Sequence, residues 1–310
     1  MATTSTTNGA DDTVRIEVGG WARDNPGADW RAQEEMVSTD YTLAHGAHAT
    51  PEEGRCAMEW VSYLAGEPHG DRPACVSPAL RAFCVAFNDW LPKTARQRLR
   101  PYLTRTIGTA GDGLDETRGW MAMDWLIRVY TPAWLDLAGV SEAARRLVSL
   151  QSIVGVASLD GAPGAIDLAR RDARAALTAA SRASRSPAWR IPVIAHRSAR
   201  KSAWASAQPA LWALGRVQVG DIAGDRVRAA TRATAGDAAA AVSQHARAGF
   251  KRAAAKDAVG AALAPTLSEI GESGFALLDR MLPTESLAAG PRRYAHAPRR
   301  ALTHLAHRPL

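Results

Sequence analysis

Six residues between positions 45 and 75 have side chains that bind metal ions or carry nucleophilic catalysis. They are His45, His48, Cys56, Glu59, His69 and Cys75. Thiolate, imidazole and carboxylate groups are the ligands that zinc takes in proteins. Their spacing matches neither a paired C-x-x-C motif nor an H-E-x-x-H motif. Zinc is therefore one interpretation of this set, and buried cysteines with solvated loop histidines are the other.

A helix is predicted across the middle of this set. Thr50 and Glu53 have the pattern of a capping box, with proline at the first helical position, and they predict a helix over Pro51–Ala65. On that helix Cys56 and Glu59 are three residues apart and share a face.

The length of the predicted helix limits which ligands can meet. Fifteen residues at ~1.5 Å per residue span about 22 Å. His45 and His48 precede the helix and can approach its first turns, whereas His69 and Cys75 follow it and would have to fold back.

Cys56 is also a candidate nucleophile. In the second turn of a helix, the positive end of the helix dipole favours the thiolate. His45 or His48 would then serve as general base, and an acid such as Glu59 would orient it. Against this, Cys56 alternates with Met58 and Trp60 in a pattern typical of core packing. Both interpretations stay open.

The rest of the chain predicts a mostly α fold. Capping residues and the apolar period agree over the segment from Thr50 to Gly139, and this agreement weakens after Ser141. The predicted helices are 78–90 after Ser77, 95–107 with a kink or split at Pro101, 114–130, a short helix after Thr131-Pro132 that ends at Gly139, and 141–154.

The second half is rich in alanine and arginine, which favour helix strongly. Helices are predicted over 167–184, 199–215, 221–235, 237–256 and 263–282, with breaks at Pro209 and Gly236 among others. Since large apolar residues are few here, we expect thin cores. Four regions follow: an irregular segment with a short strand at Thr13–Val18 (1–40), a helical core domain (41–154), an Ala/Arg-rich helical region (155–286) and a flexible basic tail (287–310).

The distribution of charged residues divides the chain into an acidic part and a basic part at about residue 140. Residues 1–140 contain 13 basic and 19 acidic residues, and residues 141–310 contain 25 basic and 12 acidic residues. A basic half can bind nucleic acid, an acidic partner or the chain's own acidic half. No DNA- or RNA-binding motif is present. The candidate phosphate contacts are Arg247, Lys251, Arg252, Arg292, Arg293, Arg299 and Arg300.

The sequence also contains evidence on the location of the protein in the cell. No apolar run approaches the ~18 residues that a membrane span requires. The first residues have neither a basic nor an apolar stretch of the secretory type, and the three cysteines suit a reducing compartment. We expect a cytoplasmic protein with no membrane contact. Its oligomeric state is open.

Several blocks in 45–139 occur in a distinctive order. They are PEEGRCAMEWVSYLAGEP, DRPACVSP and RGWMAMDWLIRVYTPAWLDLAG. This region resembles a family of uncharacterised proteins from actinobacteria and their phages. The resemblance implies that an Ala-rich region of variable length follows. It implies no activity, cofactor or catalytic residue.

The leading hypothesis for function is a non-enzymatic helical interaction module with a protein partner. An enzyme that depends on a metal or a cysteine in the 45–75 cluster is the first alternative, and a weak nucleic-acid binder is the second.

Asp124 and Arg128 form an i, i+4 pair that is either a buried ion pair or a solvated one. Tryptophans at helical spacing in this region predict core positions.

Overall fold

The mostly α prediction is confirmed. The computed structural model describes residues 41–183, 192–217, 222–246 and 252–283 of the chain. This part is 76% helical and contains no strand. The strand predicted at Thr13–Val18 and the tail predicted at 287–310 lie outside the described residues.

Short helices make up the first half of the described chain and long helices the second. The short α-helices are α1 (Ala57–Leu64), α2 (Pro78–Trp90), α3 (Lys93–Arg96), α4 (Arg100–Thr106), α5 (Asp115–Trp125), α6 (Thr131–Leu137) and α7 (Ser141–Val148). Short 3-10 helices lie at Pro51–Glu53, Gln97–Leu99 and Val156–Leu159, and a π-helical turn lies at Leu126–Tyr130. The long helices are α8 (Ala162–Ala183), α9 (Pro192–Leu214), α10 (Ile222–Ala246) and α11 (Arg252–Met281).

Two of the predicted helix signals act as expected. The Ser77 hydroxyl accepts a hydrogen bond from the Leu80 N–H at 3.3 Å and caps α2. Pro101 lies in the first turn of α4, so the predicted 95–107 helix is split into α3, a 3-10 turn and α4. Proline cannot donate to the preceding turn, and the first turn of a helix is where that costs least.

Other predicted caps and boundaries differ from the structure. α6 begins at Thr131, but Thr131 does not cap it, because the π-helical turn joins α5 directly to α6 and the Thr131 hydroxyl donates to the Leu126 carbonyl oxygen at 2.7 Å. The helix after Gly139 ends at Val148 and not at Val154. Proline does not break α9, which contains Pro209.

Gly236 does not break α10 either. A Cβ atom at this position would lie 2.9 Å from Nε1 of Trp204 on α9. The glycine therefore serves close helix packing at this position, and its low helix propensity is overridden by tertiary contact.

The helix α9 lies at the centre of the described molecule. It packs against α10, α2 and α5, while α8 packs along α10. The helices α8 and α10 run in the same direction, since Gln244 near the end of α10 donates to Ser181 near the end of α8 at 3.1 Å.

Alanine makes this packing close. Most of the inward positions of α9 are fully buried alanines, among them Ala199, Ala203, Ala207 and Ala210. Small side chains let helix axes approach, so contact is made along the whole length of the helices. The expected thin cores are replaced by one core that is continuous with that of the first half.

Aromatic contacts also join the two halves. The rings of Phe87 and Phe275 are 4.9 Å apart at their centroids. The indole N–H of Trp125 donates to the Ser273 hydroxyl at 3.1 Å. The buried Tyr130 hydroxyl donates to the backbone carbonyl of Ala203. The Ala/Arg-rich helices therefore pack directly on the short helices.

The Asp124–Arg128 pair has a definite place in this core. The carboxylate of Asp124 is 7% exposed, and it accepts from Arg128 at 3.1 Å and from the Ile153 N–H at 2.9 Å. Asp124 is thus buried and Arg128 half-buried, and the pair connects the segment after α7 to the π-helical turn.

Candidate functional site

Glu59 is the centre of the predicted cluster. It is the third residue of α1 and is 1% exposed. Its carboxylate accepts hydrogen bonds from the backbone N–H of His48 at 2.6 Å, from Nδ1 of His48 at 2.8 Å and from the backbone N–H of Cys56 at 2.7 Å. Both carboxylate oxygens are therefore occupied by donors from the chain itself.

The local backbone differs from the prediction, and this changes the role of Cys56. The 3-10 turn at Pro51–Glu53 ends at Gly54, whose φ of 127° is incompatible with helix. The helix α1 starts only at Ala57, and Cys56 is its N-cap residue in a capping box with Glu59. The Thr50 side chain makes no capping hydrogen bond. The prediction that Cys56 lies in the second turn of a long helix is wrong.

The shorter helix explains why His69 reaches the cluster. The eight residues of α1 span only about 12 Å. Nε2 of His69 lies 3.1 Å from the His48 carbonyl oxygen and 4.0 Å from Oε1 of Glu59. The structure therefore brings together His48, Cys56, Glu59 and His69.

The other two candidates have different surroundings. His45 is exposed. Cys75 donates its backbone N–H to Glu67 at 2.9 Å, and its carbonyl oxygen accepts from the Gly108 N–H at 3.0 Å. Among the described residues, no group of three or more His, Cys, Asp and Glu side chains is arranged to hold a metal ion.

Side chains from α2 and the α3–α4 region hold the loop that carries His48. Asn88 donates to the Ala44 carbonyl oxygen at 2.9 Å and accepts from the Ala57 N–H at 3.2 Å. Gln97 accepts from the Leu43 N–H at 2.8 Å and donates to the Leu43 carbonyl oxygen at 3.0 Å. The position of His48 against Glu59 thus depends on Asn88 and Gln97, which lie forty or more positions after His48 in the sequence.

The pKa values of two groups describe the electrostatics of the cluster. Burial alone would raise the pKa of Glu59, but hydrogen bonds from His48 and Cys56 outweigh it, so the pKa lies below its usual range. Burial raises the pKa of the Cys56 thiol to about 12, and the negative charge of Glu59 acts in the same direction. At neutral pH the carboxylate is charged and the thiol is neutral.

This arrangement opposes the expected thiolate stabilisation at Cys56. The thiol is 2% exposed and lies beside a carboxylate rather than a cation. A nucleophilic cysteine requires a positive, partly exposed environment. What the cluster can do is bind the 41–54 segment to the start of α1 through charge-assisted hydrogen bonds.

The residues that support the cluster were not among the predicted site residues. Asn88 is fully buried on a helix whose inward face is otherwise apolar. An amide beside Phe87 in the sequence of α2 was the available signal, because buried polar groups need partners. Gln97 gave no such signal, since it lies in a polar stretch.

The candidate phosphate contacts are not placed by the structure. Six of them lie outside the described residues: Arg247, Lys251, Arg292, Arg293, Arg299 and Arg300. The seventh, Arg252, is the first residue of α11, and its side chain is not described. The predicted nucleic-acid surface stays a prediction.

A groove lies between α8 and α10, apart from the Glu59 cluster. It has a volume of about 290 Å³ and is lined by Ile166 and Val227 with Asp167, Arg170 and Arg226 beside them. All three charged side chains are exposed. The groove is an open surface feature without a buried polar group directed into it.

Comparison with known proteins adds no family. No protein-family model, no curated protein and no solved structure matches the chain. None of the helices in the described ranges is both long enough and apolar enough to cross a membrane.

Proposed function

We propose that this chain is a non-enzymatic, cytoplasmic helical protein that acts by binding a protein partner. The observation that carries the proposal is the exposure of two tryptophans on α9. Trp204 is 37% exposed and Trp212 is 46% exposed, whereas Trp120, Trp125 and Trp134 are at most 4% exposed. Tryptophan is strongly enriched among the residues that dominate protein–protein binding energy.

The state of the Glu59 cluster also supports a binding role over a catalytic one. Its carboxylate is hydrogen-bonded by backbone and side-chain donors, and the thiol beside it is neutral and buried. A catalytic site needs a group that reaches substrate. In this cluster the ionisable side chains are directed at one another and at the backbone.

A second group of exposed apolar residues forms another candidate binding surface. Val148, Val154 and Val156 are 51%, 76% and 65% exposed. They lie at the end of α7 and in the segment that Asp124 fastens through Ile153. Exposed apolar groups held in an ordered segment also occur at binding surfaces.

The proposal is tested by affinity capture with the full-length chain from the cells that produce it, followed by rebinding of the purified captured protein. We expect one stoichiometric protein that rebinds, and a smaller affinity for either Trp212→Ala or Val154→Ser/Val156→Ser. The proposal fails if no purified protein rebinds the wild-type chain.

The two alternatives give different results in the same preparation. Stoichiometric zinc by emission spectroscopy that is lost in Cys56→Ala would favour the metal or cysteine enzyme. A steep decrease of DNA affinity with rising salt would favour the nucleic-acid binder, because released counterions produce that slope.

A further inference from the structure

The outward face of α9 combines tryptophans with basic residues. Arg197, Lys201, Trp204, Trp212 and Arg216 are all exposed. Their separations of four, three, eight and four residues follow the helical period, and Arg216 lies in the turn directly after α9. We call these five residues the α9 face.

Packing fixes which way the α9 face points. The opposite side of α9 is buried through its alanines against α2, α5 and α10. Trp204 is held in place, since its indole N–H donates to the Arg232 carbonyl oxygen at 3.1 Å and its ring lies 5.3 Å from the Arg232 guanidinium carbon. A tryptophan that is already ordered loses little conformational entropy when a partner binds.

The charge of this face has one sign. The described residues 192–217 include no aspartate or glutamate. Asp237 on α10 approaches α9, and it is paired with Arg200 at 2.5 Å. Arg197, Lys201 and Arg216 have no ion-pair partner within the described ranges. A partner surface bearing carboxylates would therefore complement the face.

We propose that the α9 face docks a protein segment with an apolar centre and flanking carboxylates. This inference rests on the proposed function and adds the site and the chemistry of the partner. The layout favours protein over nucleic acid, because the exposed cations of α9 and the turn after it lie at the two ends of the face, and the half-buried Arg232 beside Trp204 comes from α10. Protein interfaces have an apolar core and a polar rim, whereas single strands need a continuous basic groove.

The dimensions are consistent with such a partner. From Arg197 to Arg216 the face extends roughly 28 Å at ~1.5 Å per residue. An acidic amphipathic helix can follow a face of this length.

Site-specific photocrosslinking tests where the partner binds. Benzoylphenylalanine replaces Trp212 in the full-length chain in its own cells, and the exposed Ala179 on α8 carries the same group as the matched control. We expect a protein adduct at position 212 that maps to a segment rich in Asp and Glu. An adduct to nucleic acid, to a second copy of the chain or to a segment without carboxylates overturns the proposal, as does no adduct above the control.

Charge reversal tests the chemistry with the purified crosslinked protein. Arg197→Glu/Lys201→Glu should weaken binding about tenfold or more at low salt, which corresponds to ~1.4 kcal/mol. The control Arg171→Glu/Arg174→Glu makes the same charge change at exposed positions on α8 and should change affinity less than about twofold, since distant exposed charges are screened. Equal losses in the two variants would overturn the proposal.

Failure here is separable from failure of the proposed function. A captured protein that rebinds but forms no adduct at position 212 overturns the α9 proposal and leaves the binding role standing. Absence of any rebinding protein overturns both. Because Arg197 and Lys201 are exposed, their substitution tests the charge argument without disturbing the core.

Discussion

Glu59 belongs to a residue type that is common in catalytic sites, but here its side chain has a structural role. Its carboxylate is almost inaccessible and is surrounded by three donors from His48 and Cys56. Buried charges are tolerated when they are paired and hydrogen-bonded, and removing the charge leaves the donors unsatisfied. The 41–54 segment is therefore expected to depend on this one side chain.

Replacing Glu59 by Gln should lower the free energy of unfolding by about 2–3 kcal/mol at neutral pH, because hydrogen bonds to a charged acceptor are lost. The pKa of Glu59 in the folded protein is lowered. Its stabilisation is therefore complete above the pKa of an unfolded glutamate, about 4.3, and is lost as pH falls through the lower folded value. Urea unfolding of both proteins between pH 7 and pH 3 measures the difference.

The matched control is Glu269→Gln, at an exposed position on α11. This variant should change the free energy of unfolding by less than about 0.5 kcal/mol at every pH. A Glu59→Gln protein as stable as the control at pH 7 would contradict the structural role of the carboxylate.

The thiols provide a second test at this scale. Burial raises the pKa of Cys56 and of Cys84 to about 12, and it also raises the pKa of Cys75. Since thiolates and not thiols react with disulfide reagents, all three should react slowly with dithionitrobenzoate in the native protein at pH 8 and at once in guanidinium chloride. Rapid native labelling of Cys56 would revive the catalytic hypothesis.

At the scale of elements, glycine and alanine act as packing surfaces. Gly274 on α11 faces the ring of Phe87, and a Cβ atom there would lie 2.9 Å from Cε2 and Cζ of that ring. Gly260 lies on the same helix with no heavy atom within 4 Å of such a Cβ. The two positions therefore separate helix propensity from packing.

Gly274→Ala should destabilise the protein by about 1–3 kcal/mol, because the methyl group overpacks the contact with Phe87. Gly260→Ala should stabilise it by about 0.5–1 kcal/mol through propensity alone. Thermal or urea unfolding measures both. If Gly274→Ala were also stabilising, the close approach of α11 to α2 would be wrong.

At the scale of the whole molecule, the last helix completes the core of the first half. Arg118 on α5 is 1% exposed, and it donates to the Met281 carbonyl oxygen at the end of α11 at 3.0 Å and to Asp112 at 2.8 Å. The exposed pairs Arg98–Glu272 and Arg105–Asp279 contribute less, since surface ion pairs are worth at most about 1 kcal/mol.

A fragment of residues 41–154 should therefore lack a fixed core. Without α9 and α11 it would expose Phe87, Trp125 and Tyr130, which contact Phe275, Ser273 and Ala203 in the full chain. We expect helical far-UV circular dichroism, a weak near-UV signal and dye binding, the signs of lost packing. The full chain should unfold in one transition. A fragment with native near-UV signal would instead support an autonomous domain at 41–154.

The sequence alone determined the fold class and many of the helices. The cap at Ser77 and the split at Pro101 follow from local chemistry, namely a hydroxyl that can accept from the first turn and a ring without an N–H. Residue types also singled out His48, Cys56 and Glu59, which the structure brings together. The cap and the split depend on neighbours within one or two turns, whereas the meeting of His48 with Glu59 also needs Asn88 and Gln97 from other helices.

Tertiary structure decided the rest, because the determining contacts come from distant residues. From the sequence, Gly236 predicts a helix break, but in the structure Trp204 packs against it inside α10. The alanines of α9 predict a thin core, but in the structure other helices bury them. The role of Cys56 as an N-cap depends on the break at Gly54 and on Asn88 across the core. Local propensities are worth tenths of a kcal/mol to about one, and burial between helices outweighs them.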